Sequence, residues 1–265
     1  MLESVIFFKT LSMIQFFSSW TLRKKYLIIV GMQYHQIHFQ EIDSTNTYLK
    51  NTYKLLGNFT FVSTDYQSHG KGRNDRTWSS EPGENLMFSF LIKDENLLKQ
   101  SPIISLLSAV EIAKVLETYK IKHVSIKWPN DVLINDKKVC GILAEGQLPD
   151  YMVVGIGLNV NQKKFPEGLR RPATSLCLEH KKDINIEELK EKLFPQLVDS
   201  LTNLDLDKSL EYFRKHNYLL NKRVKAIVNN QTFIGEVVGI DDSFCLQVAS
   251  HGMLLHIDSG EIEIL

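Results

Sequence analysis

The segment Gly70–Trp78 concentrates the residues of this chain that are best suited to hold an anion. It reads Gly-Lys-Gly-Arg-Asn-Asp-Arg-Thr-Trp and contains three cations and two glycines. Guanidinium groups match the oxygens of a carboxylate or phosphate, and glycine lets the backbone approach a ligand closely. Three neighbouring cations repel one another unless an anion joins them. The segment therefore favours a phosphate or carboxylate site, although solvated surface loops show similar patterns.

Four shorter segments carry polar residues that suit related chemistry. They are Ser44–Asn46, Lys127–Asp131, Lys138–Glu145 and Val154–Asn161. Each also has an ordinary structural explanation, because a serine caps helices, a lysine occurs in hairpins, a tryptophan packs in cores and an asparagine satisfies backbone groups. The glycines of the last segment weaken a strand unless something must come close to it. This favours a ligand lying against that strand.

These residues need a rigid frame, and the hydrophobic pattern predicts one built from strands and helices. Asp43 or Ser44 caps a helix that Gly57 stops, and Ser101 with Pro102 marks the start of a longer apolar helix. Period-two alternation predicts the strands. The predicted strands are Tyr34–Gln40, Phe59–Tyr66, Asn85–Ile92, His123–Trp128, Val132–Asn135, Val139–Gln147 and Tyr151–Asn161, and the later helices are Ile186–Leu201 and Asp207–Asn217.

The chain divides into three predicted parts. The composition changes near Asn221, where short alternating strands separated by glycines begin, and these predict a small β-barrel over 220–265. Residues 32–219 form the predicted α+β domain with a mixed or antiparallel sheet and flanking helices. Residues 1–31 hold broken apolar stretches that fit neither a membrane span nor a secretory signal. We predict that they are an appendage outside the fold and that Met32 is the initiator.

The net charge and the cysteines of the chain indicate which kinds of partner and which cellular compartment to expect. The chain has 31 Lys and Arg and 31 Asp and Glu among 265 residues, so its net charge of zero gives no reason to expect nucleic acid or an anionic membrane. Its three cysteines, Cys140, Cys177 and Cys245, are far apart and form no CxxC pair. We expect them to be small buried groups in a reducing, cytoplasmic compartment.

Taken together, these segments resemble those of the biotin–protein ligases. Gln67 and Gly70–Trp78 resemble the family's GRGRxGRxW loop and its preceding glutamine, with Lys71 in place of an arginine and Asp75 in place of a glycine. Lys71 keeps the charge but loses the guanidinium fork, and Asp75 tolerates a positive φ less well than glycine. Lys127–Asp131 matches the family's KWPND segment without change.

The remaining segments extend the resemblance along the chain. Lys138–Glu145 resembles the KxxGIL(x)E segment, Val154–Asn161 the GIGxNVN strand and Ser44–Asn46 the STN at a helix start, and Ala173–Leu176 also has a counterpart. The motifs appear in the same order from about residue 37 to residue 175. The resemblance implies a class II synthetase-like catalytic domain with a mixed sheet and flanking helices, followed by a small SH3-like barrel.

The resemblance also implies which residues form the site. For catalysis they are Arg73, Asp131 and Lys138. For biotin they are Ser44, Thr45, Asn46, Gln67, Gly70, Lys71, Gly72, Arg73, Lys138, Gly141 and Gly155. For ATP they are Arg73, Arg76, Trp78, Asn130, Lys138 and Asn159. No residue is assigned as a metal ligand; magnesium is expected to arrive with ATP, near Asn130 and Asp131.

The implied chemistry has two steps. The carboxylate of biotin attacks the α-phosphate of ATP to give biotinyl-AMP and pyrophosphate, and a lysine of a biotin carboxyl carrier domain then takes the biotinyl group. Arg73 and Lys138 are expected to offset the repulsion between the two anions, and Arg76 to hold the triphosphate tail. Asp131 is expected to orient or deprotonate the incoming lysine. Gly70–Trp78 is the expected lid that excludes water.

Three other functions fit parts of the sequence. A lipoate or octanoate ligase of related fold would also make acyl-lysine, but is not expected to carry this loop together with KWPND. A biotin-responsive repressor needs a helix-turn-helix, for which the segment before residue 35 is too short. A binding module would use the C-terminal barrel to dock a partner. We expect a ligase that is a monomer or homodimer and binds neither nucleic acid nor membrane.

Overall fold

The computed structural model describes residues 34–74, 76–229 and 231–265. The predicted appendage over 1–31 and the proposed initiator Met32 lie outside the described residues, as does Asp75. None of the helices within the described ranges combines the length and the apolar character needed to cross a lipid bilayer.

A seven-stranded mixed sheet forms the frame of the larger part of the chain. Its spatial order is β1-β2-β3-β7-β6-β5-β4; β1 and β2 are parallel and every other neighbouring pair is antiparallel. The predicted mixed sheet is therefore confirmed. The strands are β1 His35–Ile42, β2 Thr60–Gln67, β3 Asn85–Ile92, β4 Val124–Lys127, β5 Asp131–Ile134, β6 Lys137–Gln147 and β7 Tyr151–Asn159.

The flanking helices begin at polar caps in most cases. The Ser44 hydroxyl caps the first helix, as predicted, and Asn185 and Asp205 cap the last two. A 3-10 turn over Tyr53–Leu55 closes the first helix before Gly57. The helices are α1 Thr45–Thr52, α2 Glu95–Lys99, α3 Ile104–Thr118, α4 Leu176–His180, α5 Ile186–Thr202 and α6 Leu206–His216.

The predicted start of the longer apolar helix at Ser101 and Pro102 is wrong. The amide of Ser101 donates to the carbonyl of Leu98, so Ser101 belongs to the turn that closes the short helix α2. Helix α3 begins three residues later at Ile104, and its N-cap Ile103 supplies no side-chain bond. Helix α2, whose cap is the Asp94 carboxylate, was not predicted from the sequence.

Apolar side chains cover both faces of the sheet. On one face, Phe61 stacks on Phe194 of α5 with ring centroids 4.3 Å apart, inside a large cluster that includes the apolar face of α3. On the other face, Leu49 of α1 packs with Val62 and Val153. Both faces must be filled because the central strand β3 is buried along its whole length. Cys140 and Cys177 are buried and free as expected, and Cys245 is free but partly exposed.

The last five strands form a separate antiparallel sheet, as the resemblance to an SH3-like barrel implies. Its order is β11-β10-β9-β8-β12. The indole nitrogen of Trp128 donates to the carbonyl of Phe244 at 3.2 Å and anchors this sheet to the end of β4. The strands are β8 Arg223–Val228, β9 Gln231–Ile240, β10 Leu246–Ser250, β11 Met253–Ile257 and β12 Glu261–Ile264.

Candidate active site

A cavity of about 190 Å³ opens where the two sheets meet the loop between β2 and β3. It collects residues from Gly70–Trp78 and from all four of the shorter polar segments, whereas Ala173–Leu176 contributes none. The predicted residues that line it are Ser44, Thr45, Asn46, Gln67, Lys71, Gly72, Arg73, Arg76, Trp78, Asn130, Asp131, Lys138, Gly141 and Gly155. The structure thus brings together side chains that are separated by more than a hundred positions in the chain.

Two predicted residues, Gly70 and Asn159, do not line the cavity. The backbone of Gly70 accepts a hydrogen bond from the amide of Trp78, and a Cβ at this position would overlap the carbonyl oxygen of Trp78. Asn159 is buried, and its amide donates to the carbonyl of Thr174 at 3.0 Å. Gly70 and Asn159 therefore support residues of the cavity wall, and neither is placed to contact a ligand directly.

One end of the cavity is polar but nearly closed to water. It is built by the N-terminus of α1, where Ser44, Thr45 and Asn46 are each under 5% exposed. The Thr45 amide donates to Gln67 Oε1 at 2.9 Å, and Thr45 Oγ1 lies 2.6 Å from the hydroxyl of Ser89. These groups are paired within the protein, but the hydroxyls keep lone pairs and Gln67 keeps its Nε2 donor, so the end favours a ligand with matching donors and acceptors.

The other end of the cavity is cationic. Lys138 Nζ lies 2.7 Å from Asp131 Oδ1 and 5.5 Å from the centre of the Trp78 ring. The positions of Lys138 and Asp131 follow from the hairpin between β5 and β6, whose turn residues Asn135 and Asp136 both have positive φ. Arg73 reaches the site from the loop and donates to Asn130 Oδ1 at 3.4 Å.

The pKa values of two cations are lowered mainly by burial and partly by neighbouring positive charge. Burial is the main cause that lowers the pKa of Lys127 to about 8, and the charges of Arg171, Arg170 and Lys138 lower it further against the opposing effect of Asp131. Burial also lowers the pKa of Arg73 below its ordinary value; the charge of Asp131 opposes that effect and the charge of Arg76 adds to it. An anion in the cavity would relieve this repulsion.

The glycines of β7 accommodate protein side chains. A Cβ at Gly155 would overlap Asn46 Oδ1, and a Cβ at Gly157 would overlap the indole of Trp78. We predicted from these glycines that a ligand lies against the strand, but the structure places Asn46 and Trp78 there. Gly141 on β6 has the same role, since a Cβ there would lie 2.8 Å from Lys138 Nζ and 3.0 Å from Trp78 Cζ3.

The C-terminal sheet contributes residues that the sequence did not single out. Gly260, Glu261 and Ile262 line the cavity, and the carboxylate of Glu261 forms ion pairs with Arg76 and with Arg170. Asn74 of the loop donates to the same Glu261 oxygen at 2.8 Å.

Two more bonds join the C-terminal sheet to the larger domain, because Arg73 donates to the Gly260 carbonyl and Lys127 Nζ to that of Ile262. Since Arg170 and Glu261 are 91 positions apart, no local sequence pattern predicts their contact.

The residues near Asp131 suit a magnesium ion that arrives with a nucleotide. No cluster of three or more His, Cys, Asp or Glu side chains forms among the described residues. Asp131 supplies one carboxylate beside the amide of Asn130, and this donor set fits a hydrated ion held mainly by phosphate oxygens. Such an ion would neutralise charge on the phosphates during the reaction.

Comparisons with known proteins agree with the fold and the segments described above. Residues 38–161 match the Biotin/lipoate A/B protein ligase family. The chain is 31% identical over 255 residues to the bifunctional ligase/repressor BirA of Bacillus spizizenii, covering 88% of this chain and 75% of that protein. It is 26% identical to the biotin–[acetyl-CoA-carboxylase] ligase of Mycobacterium tuberculosis, covering 75% and 76% of the two chains.

A solved structure shows the same architecture. The biotin protein ligase from Aquifex aeolicus in complex with biotin and ATP superposes with a TM-score of 0.75 at 30% identity, covering 87% of this chain and 98% of that one. The chain belongs to the biotin/lipoate A/B protein ligase family. Within that family, the relatives described here are ligases that act with biotin.

Proposed function

We propose that this protein is an ATP-dependent biotin–protein ligase, which adenylates biotin and transfers it to a lysine of a biotin carboxyl carrier domain. One observation carries the proposal: a single cavity joins the closed polar end around Thr45 to the cationic end around Lys138. The ureido ring of biotin offers two N–H donors and one carbonyl, which suits the polar end. Its carboxylate, at the far end of an aliphatic tail, then reaches the cations.

The cationic end supports the adenylation step. Lys138 and Arg73 lie where two anions must meet, and their charges stabilise the negative charge that develops as the carboxylate attacks the α-phosphate. Arg76 is placed further out on the loop, and Arg170 converges with it on Glu261. We propose that this pair of guanidinium groups holds the triphosphate tail and the pyrophosphate that leaves.

The acyl transfer step requires a neutral amine and a site without water. A free lysine arrives protonated, since its ordinary pKa is near 10.4. In the structure Asp131 Oδ1 is paired with Lys138, so the second oxygen of the carboxylate is the one available to orient and deprotonate the incoming amine. Residues of the segment Gly70–Trp78 line the cavity, and this supports the role of a lid that protects the mixed anhydride from hydrolysis.

The polar end of the cavity argues against a lipoyl or octanoyl substrate. The dithiolane ring of lipoate and the chain of octanoate offer no donor or acceptor to Gln67 Nε2 or to the remaining lone pairs of the Ser44 and Thr45 hydroxyls. That loss disfavours the wrong substrate strongly. Biotin was likewise favoured over lipoate on the sequence motifs, and the geometry gives the preference a physical reason.

An exchange assay tests the proposed function. The protein is incubated with ATP, magnesium and labelled pyrophosphate, and the incorporation of label into ATP is measured with biotin, lipoate or octanoate as the acid. We expect exchange that depends on biotin and is at least a hundredfold slower with the other two acids. Faster exchange with lipoate or octanoate would assign the protein to the other branch of the family.

A further inference from the structure

Tyr218, a half-buried tyrosine beside the cavity, has two cations at its ring. The guanidinium carbon of Arg171 lies 5.5 Å from the centre of the ring, and Lys222 Nζ lies 3.1 Å from it. We call these three residues the Tyr218 rim. We propose that the Tyr218 rim is the surface on which acidic side chains of the carrier domain dock during acyl transfer, an inference that rests on the proposed function.

Two backbone hydrogen bonds place the Tyr218 rim next to the cationic end of the cavity. The amide of Tyr218 donates to the carbonyl of Ile126 at 2.9 Å, so the ring lies beside the end of β4. The amide of Lys138 donates to the carbonyl of Pro172 at 2.8 Å, so the residue that follows Arg171 lies against Lys138. The rim therefore borders the place where the carrier lysine must arrive.

The cations of the Tyr218 rim lack the carboxylates that their neighbours have. Within the described ranges of the chain, neither Arg171 nor Lys222 forms an ion pair. Two like charges at one ring repel each other, so an anion that joins them stabilises the rim. The acidic side chains nearby already pair with other cations: Asp131 with Lys138, Glu261 with Arg76 and Arg170, and Glu263 with Arg170 and Lys225.

The positive potential of the rim extends to the cavity. Burial is the main cause that lowers the pKa of Lys127, and among the charges that lower it further Arg171 has the largest effect. A carrier lysine arrives with a positive charge of its own, so the same potential repels it. Acidic side chains beside the target lysine offset that repulsion when they pair with Arg171 and Lys222.

The position of the Tyr218 rim favours a protein partner over the nucleotide. Arg76 and Arg170, which we propose to hold the triphosphate tail, both line the cavity, whereas the three rim residues do not. A nucleotide held in the cavity thus leaves the rim cations without a partner. A protein whose lysine enters the cavity brings its surface against them. Nucleic acid is less suited, because the chain as a whole has no excess of positive charge.

The test measures acyl transfer and adenylation separately. The variant Arg171→Gln/Lys222→Gln removes both rim charges. We expect its kcat/KM for an unmodified biotin carboxyl carrier domain to fall about tenfold at low salt, because complementary charges at an interface raise the rate of association. Biotin-dependent ATP–pyrophosphate exchange should stay within about twofold of wild type. Both assays are run at pH 7, below the pKa of about 8 of Lys127.

Two controls isolate the charges of the rim from the net charge and from packing. Lys99→Gln/Lys208→Gln removes two exposed lysines of α2 and α6, so it changes the net charge equally and should leave transfer within about twofold of wild type. Arg171→Lys/Lys222→Arg keeps both rim charges and should retain most of the kcat/KM for the carrier. The melting temperature of each variant is measured alongside, so that a loss of folding is not read as a loss of docking.

The partner charges are located on the carrier. Each surface carboxylate near its target lysine is replaced in turn by the corresponding amide. At least one replacement should lower kcat/KM severalfold with the wild-type ligase and much less with Arg171→Gln/Lys222→Gln, because the pair is already broken in that variant.

Three results would overturn the inference: a kcat/KM for the carrier that the rim variant leaves unchanged, an equal loss of pyrophosphate exchange, or carrier carboxylates that act equally on both ligases. Unchanged transfer with a loss of nucleic-acid binding in the rim variant would reassign the surface to nucleic acid. Wild-type protein that forms no biotinyl adenylate would remove the proposed function, and this inference with it. Active wild type with any of the other results would remove this inference alone.

Discussion

Lys138 is held between a carboxylate and an aromatic face, and its place shows what the sequence could and could not predict. Its hairpin was predictable because Asn135 and Asp136 tolerate positive φ, and the motif around Lys138 implied a role in the site. Its partner Asp131 and the ring of Trp78 were predicted as site residues, but their contacts with Lys138 depend on sheet register and loop closure. The distances between these side chains cannot be predicted from the spacing of the residues along the sequence.

Gly155 and Gly157 of β7 also show how far a prediction from the sequence can go. The absence of a side chain at Gly155 and Gly157 correctly indicated a close approach to the strand. It did not indicate that Asn46 and Trp78, rather than a ligand, make the approach.

Lys138→Ala is predicted to abolish the first chemical step without unfolding the protein. Loss of a charge aimed at the reacting oxygens should slow biotin-dependent ATP–pyrophosphate exchange by about 10²–10³-fold. The neighbouring Lys137→Ala is the control, because Lys137 is exposed and does not line the cavity. Near-normal exchange in Lys138→Ala would remove this residue from the mechanism.

Binding of ATP is predicted to weaken as the pH rises above 8. Lys127 faces Arg171, Arg170 and Lys138, with Asp131 opposing them, and its pKa of about 8 should rise when a triphosphate offsets these charges. Binding therefore takes up a proton between pH 8 and the raised pKa, and the affinity should fall by up to about tenfold per pH unit there.

Calorimetry of ATP binding from pH 7 to pH 10 measures this dependence, and Lys127→Met should abolish it. A steep pH dependence that survives in Lys127→Met would assign the titration to another group.

At the scale of elements, the strands of the large sheet and the longer helices were predictable, and the two five-residue helices were not. Alternation in Asn85–Ile92 and the apolar repeat of Ile104–Thr118 extend over enough residues to establish a period. The helices over Glu95–Lys99 and Leu176–His180 have five residues each, which is less than two turns. The loop over Gly70–Trp78 was predicted as an anion-binding lid, but its anchoring to Glu261 was not.

Displacing Trp78 is predicted to loosen this loop. The substitution Gly157→Ala places a methyl group where the indole lies, so the loop should detach from β7 and become flexible enough for trypsin to cleave after Lys71, Arg73 or Arg76. We expect cleavage in the loop at least tenfold faster than in wild type. Gly239→Ala is the control, because its Cβ would meet only the flexible side chain of Gln247. Equal cleavage rates in the two variants would show that Trp78 does not hold the loop.

At the scale of the molecule, the site depends on a contact between two sheets that lie far apart in the chain. The start of β12 meets the loop through Glu261, while Phe244 and Ile262 receive hydrogen bonds from Trp128 and Lys127. The change in composition predicted a separate C-terminal unit. That residues of this unit line the cavity could not be predicted from the sequence, because all of these contacts join residues that lie far apart in the chain.

The predicted division of the chain leads to a truncation experiment. A protein that begins at Met32 should keep the adenylation rate and melting temperature of the full chain, because the predicted catalytic domain starts there. The rate and the melting temperature are measured for both lengths. Loss of activity or of folding in the shorter protein would show that residues 1–31 belong to the functional unit.

The transfer of labelled biotin tests the central claim most directly. The protein is incubated with labelled biotin, magnesium and ATP, and a biotin carboxyl carrier domain, and the modified residue is located by mass spectrometry. We predict label on one lysine of the carrier, dependent on ATP and lost in Lys138→Ala. Modification of that lysine by lipoate but not by biotin, or the absence of any label with active carrier present, would contradict the account.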